Sequence, residues 1–313
     1  MRLERTNLLE RTSRPGMYEL PSVSWSQLEP GAFETQYGFL EAGPIILSTR
    51  SYNLGLKAAA KLVPNTCIIG VAADTRTRAR CLGKEFGPSS INLARTSNEM
   101  STIGASWFCS IMLHEEPLAS EYSTTPDVLA LLEKTQTTQL AEDPLYAHRL
   151  RTSIMRVLSL SLETEDSMLP IGVPAKSIYG ALVPLALEAL ERFDTHRVEA
   201  SRCLTKRLAA VRRCESYMIE HSSESVTLLD LSRISGMTSR SLGNAFEAVT
   251  GSAPADYLRR IRLSGAHRSL LLADKRTTIT NVATDWGFWH MGHFSHYYSK
   301  MFGETPSQTL LKS

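Results

Sequence analysis

Residues 227–258 read TLLDLSRISGMTSRSLGNAFEAVTGSAPADYL, and residues 278–310 read TITNVATDWGFWHMGHFSHYYSKMFGETPSQTL. The two stretches form a repeat. Ser232 aligns with Ala283 and Gly236 with Gly287, at an offset of 51. Gly251-x-x-Pro254-x-x-x-Leu258 aligns with Gly303-x-x-Pro306-x-x-x-Leu310, at an offset of 52, so one residue is added within the second copy. Each copy has the spacing of a helix-turn-helix. A small residue sits where two helices cross, and a glycine four positions later supplies the positive φ of a tight turn. An apolar residue (Met237, Phe288) then pins the turn. The second helix of copy one presents Leu242, Ala245, Phe246 and Val249 on one face, and that of copy two presents Phe294, Tyr298, Met301 and Phe302.

The opposite faces of these second helices are the candidate readers of DNA. Thr238 or Ser239 can cap the first. Its early exposed positions are Ser239, Arg240, Ser241, Gly243 and Asn244; in copy two they include His290, Met291, Gly292, His293 and His296. Arg and Asn match guanine and adenine edges, and Ser and His can donate to bases or phosphates. A long helix over about 253–272 joins the copies. At 1.5 Å per residue it is roughly 30 Å long, near the ~34 Å between successive major grooves on one DNA face. Arg259, Arg260, Arg262, Arg268, Lys275 and Arg276 decorate this region and suit phosphate contacts.

Charge agrees with this placement. The net charge of +2 over 313 residues hides two unlike parts. Residues 200–313 hold 15 Lys and Arg against 9 Asp and Glu, with five of the eight histidines, whereas residues 1–199 are net acidic. A basic C-terminal third on an acidic body suggests double-stranded DNA as the partner of that third.

Upstream, residues 1–17 read as a polar leader without the apolar core of a secretory signal. Residues 18–125 carry short β-rich runs such as Ile45-Ile46-Leu47, Cys67-Ile68-Ile69-Gly70-Val71 and Trp107–Leu113, punctuated by Gly-Pro and Pro-Asn pairs, which suggests a β-sandwich or small barrel. From 126 to 200 the texture is helical. Leu150, Ile154, Val157 and Leu158 share a face, residues 163–174 read as a loop, and residues 176–193 form an apolar helix with Pro184 inside it. That helix is either domain core or a dimer seam. No run of 18 apolar residues suggests a membrane span. Five cysteines without C-x-x-C spacing fit a reducing cytoplasm.

The C-terminal segment resembles the AraC/XylS family of bacterial transcription regulators. The resemblance is carried by Leu231-Ser232-x-x-x-Gly236-Met237-Thr238-x-Arg240-x-Leu242, Thr250-Gly251-x-x-Pro254-x-x-Tyr257-Leu258-x-x-x-Arg262-Leu263, Ile279-x-x-Val282-Ala283-x-x-x-Gly287-Phe288, His293-Phe294-Ser295 and Phe302-Gly303-x-x-Pro306-Ser307. It covers about residues 211–310 and implies a seven-helix domain with recognition helices near 239–249 and 291–302. Gly243 and Gly292 depart from the pattern where longer side chains often read bases, and Tyr297 is large where a small residue is usual.

The N-terminal part more weakly resembles the sensor half of the family, of the ethanolamine-operon-regulator type, through Val23-x-Trp25-x-Gln27-Leu28-x-Pro30-Gly31-x-Phe33. The resemblance implies a small-molecule effector, a homodimer and, since the family leans toward activation, RNA polymerase as a further partner. The expected architecture is α+β and multidomain. A cupin-like β-barrel (18–125) is followed by a helical bridge that dimerises (126–200). An all-α double helix-turn-helix domain (205–313) completes it, with units at about 228–249 and 279–302 around a linker helix at about 253–272.

Other chemistry fits the residues less well. His290, His293 and His296 point too far apart around a helix for all three to meet one ion, and no nearby Cys or carboxylate completes a shell, so neither a metal nor a cofactor is expected. A metal-dependent cupin enzyme needs clustered histidines, yet His114 stands alone before residue 125. Cys109 reads as a buried thiol rather than a nucleophile. No G-x-S-x-G or phosphate-binding glycine loop is found. Trp25 and Trp107 read as core. Arg50, in PIILSTRSY, can clamp an anionic effector if the Ile46, Ser48, Arg50, Tyr52 face of its strand points inward, and is solvated if it points outward. Two rival readings stand beside the effector-responsive regulator: a regulator whose N-terminal half serves only oligomerisation or protein contacts, and an enzyme with an appended DNA-binding domain.

Overall fold

The apolar runs of the first half pair into two sheets. A computed structural model describes residues 4–5, 22–95, 97–121, 139–162, 175–195, 202–274 and 276–312. Twelve strands occur among them: β1 (Glu4–Arg5), β2 (Ser22–Gln27), β3 (Thr35–Ala42), β4 (Ile45–Tyr52), β5 (Leu56–Lys61), β6 (Thr66–Ala72), β7 (Ala79–Cys81), β8 (Lys84–Phe86), β9 (Ser90–Ala94), β10 (Ser97–Thr102), β11 (Ser106–His114) and β12 (Gln139–Glu142). One sheet runs β1-β3-β4-β11-β6-β9-β12 and the other β2-β5-β10-β7-β8. β3 and β4 form a hairpin with Ala42 opposite Ile45, and β11 lies between β4 and β6, with Ser110 opposite Ser48 and Gly70. Neither sheet closes on itself in these strand orders.

The seven-stranded sheet is covered on both faces. Ile45, Leu47, Ile69, Val71, Ile111 and Leu113 pack under helices α1 (Glu115–Glu121), α2 (Pro144–Leu162) and α3 (Ala175–Thr195). The alternate residues Ile46, Ile68 and Met112 pack with Leu62 and Ala60 on the side of the five-stranded sheet. Period-2 alternation of the chain makes this division. α3 is core: Ile178, Leu182, Val183, Ala186, Leu190 and Phe193 are all buried in the cluster beneath the sheet.

Three expectations are corrected here. Glu4–Arg5 of the polar leader pairs with β3. The β-rich stretch ends in a helix, α1, before residue 125. The helical stretch after 126 contains β12, whose Leu140 and Ala141 fill the sheet edge beside β9. The expected loop at 163–174 and Lys275 lie outside the described residues.

The chain divides into two compact units, one built on the sheets and one on the residues from 199 onward, the latter also taking Ser26–Phe33 and Leu82–Lys84. Among its described residues the second has seven helices: α4 (Arg202–Glu220), α5 (Leu228–Ser235), α6 (Ser239–Thr250), α7 (Pro254–Leu271), α8 (Ile279–Asp285), α9 (Met291–Phe302) and α10 (Pro306–Leu310). Their ends follow from local chemistry. Thr227 and Asp230 form a capping box on α5, and Thr305 and Gln308 form another on α10. Pro254 and Pro306 open α7 and α10, where a missing N–H costs nothing. Gly236 and Gly287 adopt φ of +70° and +74° at the two tight turns.

Candidate nucleic-acid interface

The two helix-turn-helix units have separate cores. In the first, Leu242, Ala245, Phe246 and Val249 of α6 pack on Val211, Cys214 and Met218 of α4 and on Tyr257, Leu258 and Ile261 of α7. In the second, Phe294, Tyr298, Met301 and Phe302 of α9 pack on Leu263, Ala266 and Leu270 of α7 and on Val282 and Ala283 of α8. α7 therefore serves both cores and fixes each recognition helix to a common rod. Its 18 residues span about 27 Å.

These cores decide which side chains of α6 and α9 face solvent. Thr238 caps α6 by accepting from the Ser241 backbone N–H. The Ser239 hydroxyl bonds that of Ser232 at 3.1 Å, and the Thr238 hydroxyl donates to Ser241 at 3.0 Å. Arg240 and Asn244 are exposed one helical turn apart, and a Cβ at Gly243 would meet open space. On α9, His290 is the N-cap residue but makes no side-chain cap bond. His290, His293 and His296 are exposed, Met291 is half-buried, and Gly292 faces open space.

The arginines expected on phosphates separate into groups. Arg268 and Arg276 are exposed and Arg260 is half-buried. Arg259 pairs with Asp256 at 2.8 Å and lies 4.7 Å from the Tyr297 ring centroid. Arg262 is placed otherwise than expected. Its guanidinium donates to the Glu224 carbonyl and crowds Gly287, where a Cβ would lie 3.0 Å from Arg262 Cζ. These contacts tie the turn of the second unit to the loop before the first, and burial lowers the pKa of the guanidinium.

Two features were not read from the sequence. Trp286 lies flat against Gly265 of α7, its Nε1 donating to the Ser269 hydroxyl at 3.0 Å. The second is a buried polar chain. His267 Nδ1 meets the Tyr298 hydroxyl at 2.6 Å, that hydroxyl donates to Thr309 at 2.7 Å, and Thr309 donates to Glu304 at 2.7 Å. The His267 ring stacks on Phe302 at 4.2 Å. Burial pushes the imidazole down to about 4. The unfolded chain therefore binds a proton near pH 6.5 that the folded unit refuses, and stability rises with pH across that window. Acidification from pH 7 toward 4 should remove up to ~3 kcal/mol from this unit. Thermal melting of the wild type against His267→Leu checks this, since the variant should lose most of that slope.

The sheet unit holds a second candidate site. The Ile46, Ser48, Arg50, Tyr52 side of β4 does point inward, toward the five-stranded sheet. Ser48, Arg50 and Tyr52 line a cavity of about 80 Å³ with Leu56, Ala58, Asn92, Met100, Phe108 and Ser110. The Ser48 and Ser110 hydroxyls, paired on neighbouring strands β4 and β11, bond at 2.7 Å on its wall. Tyr52 is buried, which raises its hydroxyl pKa, and the neighbouring Arg50 pulls it back. Among the described residues no carboxylate forms a salt bridge with Arg50. Trp25 packs edge-on against Tyr52 at 5.3 Å. Trp107 is not core: 36% exposed, it lines a separate cleft with Met155 and Leu158. Burial pushes the Cys109 thiol up to about 12, which leaves it a poor nucleophile.

Among the described residues, no group of three or more His, Cys, Asp or Glu is placed to hold a metal ion, and no helix is long and apolar enough to cross a membrane.

Comparison with known proteins places the helical unit. Residues 231–312 match a family model described as a helix-turn-helix domain. Over 99 residues the chain is 36% identical to the XylDLEGF operon transcriptional activator 2 of Pseudomonas putida, covering 31% of this chain and 63% of that one. Over 101 residues it is 35% identical to the probable thc operon regulatory protein of Rhodococcus erythropolis, covering 32% of this chain and 30% of that one. The match thus spans under two thirds of either relative. A solved structure of a probable AraC family transcriptional regulator from Rhodopseudomonas palustris is 36% identical, covers 33% of this chain and 96% of that one, and has a TM-score of 0.32. Residues 231–312 of this chain are a helix-turn-helix domain of the AraC/XylS type.

Proposed function

We propose that this chain is a sequence-specific DNA-binding transcriptional regulator, acting as an effector-responsive activator. The observation that carries the reading is the pair of helix-turn-helix units on one rod, each with its recognition helix held by a core on one side and bare on the other. In this reading α6 and α9 enter successive major grooves on one face of DNA. Arg240 and Asn244 read base edges with Ser239 and Ser241 beside them; His290, Met291, His293 and His296 line the second groove. Arg259, Arg260, Arg268, Lys275 and Arg276 supply phosphate contacts, which set affinity rather than sequence. The test is selection of duplexes from sheared or random DNA by the full chain. A shared motif that survives excess competitor DNA supports the reading; binding without a motif overturns it.

The sheet unit acts in this account as a cupin-like sensor, the chain works as a cytoplasmic homodimer whose bridge lies within about 126–200, and RNA polymerase is the downstream partner. A charged Arg50 turned into an interior cavity favours an effector over a purely structural N-terminal half. The cavity is about half the ~150 Å³ that holds a benzene, so the effector is small, and Arg50 selects for an anion. Small carboxylates such as acetate, glyoxylate and pyruvate should raise the melting temperature, by up to ~2.7 kcal/mol of stabilisation at a hundredfold excess over Kd. Arg50→Gln should abolish the shift. No shift with any such anion, or one unchanged in the variant, counts against this pocket. To regulate, the effector must bind the active and inactive states with different affinity.

A further inference from the structure

The two recognition helices carry unlike chemistry on their bare sides. α6 offers Arg240 and Asn244, both suited to bidentate contact with a base. Between Trp289 and Lys300 there is no Arg, Asn or Gln. That stretch carries a ladder of rings instead. His290 meets His293 edge-on at 6.1 Å, and His293 stacks on Tyr297 at 6.2 Å with 22° between planes. His296 meets Tyr297 edge-on at 5.7 Å, and Arg259 of α7 lies over the Tyr297 ring. Tyr297, too large for the family pattern, is thus the rung that joins the imidazoles to a permanent cation.

We propose that the second recognition helix grips DNA phosphates rather than base edges, through an imidazole ladder whose charge follows pH. The first helix then sets the sequence, and the second sets a proton-dependent share of the affinity. This rests on the double helix-turn-helix reading above.

Histidine is the side chain whose charge ordinarily changes between pH 5 and 8. A phosphate beside an imidazole favours its protonated form, so binding takes up protons and affinity falls as pH rises. Three histidines on one exposed stretch sum this effect. The charged groups on the elements around α9 are mostly basic. α7 carries Asp256, Arg259, Arg260, Arg262 and Arg268, with Arg259 paired to Asp256 and Arg262 held by the Glu224 carbonyl. Asp285 is exposed at the end of α8, Lys300 lies on α9 itself, and Glu304 just after α9 is engaged by Thr309 and Lys312. α10, PSQTL, carries none. His267 of α7 is turned to the buried side, against Tyr298 and Phe302. Among the described residues the histidine found in an ion pair is His221, remote in sequence from this ladder.

The test is fluorescence anisotropy of the full chain on a labelled duplex carrying its own selected site, from pH 5.5 to 8.0 at constant ionic strength. Wild-type Kd should rise at least about tenfold across that range, since each proton taken up is worth up to ~tenfold per pH unit. The triple variant His290→Gln, His293→Gln, His296→Gln, with an unchanged melting temperature, should stay flat within about twofold. Base-pair changes beneath the second helix should cost under about threefold and those beneath the first about tenfold or more. The dependence of log affinity on log salt, measured on the wild type alone, should be steeper at pH 5.5 than at 8.0. A flat wild-type profile, equal salt slopes, a slope retained in the triple variant, or equal costs beneath both helices each overturn the proposal. If the chain selects no site at any pH, the double helix-turn-helix reading itself fails and the ladder falls with it; a selected site with a flat profile removes the ladder alone.

Discussion

Replacing Arg240 and Asn244 together by alanine should weaken binding to the selected duplex by about a hundredfold or more, because each bidentate base contact is worth ~1–3 kcal/mol. Both side chains are exposed on α6 and neither joins a core cluster, so the melting temperature should hardly move. The neighbouring hydroxyls cannot easily substitute. Ser239 is engaged with Ser232, and Ser241 with Thr238. Gly243 offers no side chain at all. Affinity for unrelated DNA should persist, since it depends on Lys and Arg contacts to the backbone. Competition binding with specific and scrambled duplexes separates the two effects. If the double variant still prefers its site, α6 does not read bases through this face.

Gly265→Ala should destabilise the helical unit by ~2 kcal/mol, against the helix propensity that would otherwise favour alanine by ~1 kcal/mol. A Cβ at 265 would lie 2.2 Å from the Trp286 ring, far inside van der Waals contact. The indole must leave its seat, lose its bond to Ser269 and uncover part of the second core. For a unit of this size each kcal/mol lowers the melting temperature by roughly 4–8 °C. Trp286→Leu added to Gly265→Ala should recover part of the loss. A melting temperature that rises in Gly265→Ala would mean that the ring swings aside freely.

The helical unit was legible because its punctuation is local. Thr227, Thr238, Thr278 and Thr305 cap, Gly236 and Gly287 turn, and Pro254 and Pro306 start helices, all within a few residues of the apolar faces they delimit. The sheet unit was legible as strands but not as a pairing scheme. Ile45, Ile46 and Leu47 are all buried, because the seven-stranded sheet is covered on both faces, and such a run carries no phase. The direction of Arg50 therefore had to come from the structure. β12 escaped because QLAE has little strand preference of its own and is held by its pairing with β9. Trp286 on Gly265 and His267 on Tyr298 join residues 21 and 31 positions apart, beyond any local pattern. On the candidate interface, residue type and spacing identified Arg240 and Asn244. They could not show that Arg262 is spent on the Glu224 carbonyl, or that Tyr297 links His293 to His296.

Hydroxyl-radical footprinting of the full chain on its selected duplex tests the central claim most directly. Two recognition helices on one rod predict two protected patches on the same face of the DNA, centred about 10–10.5 base pairs apart. That spacing should persist when Arg240→Ala lowers the occupancy. A single protected patch, or uniform protection without spacing, would contradict the placement of α6 and α9 in successive major grooves.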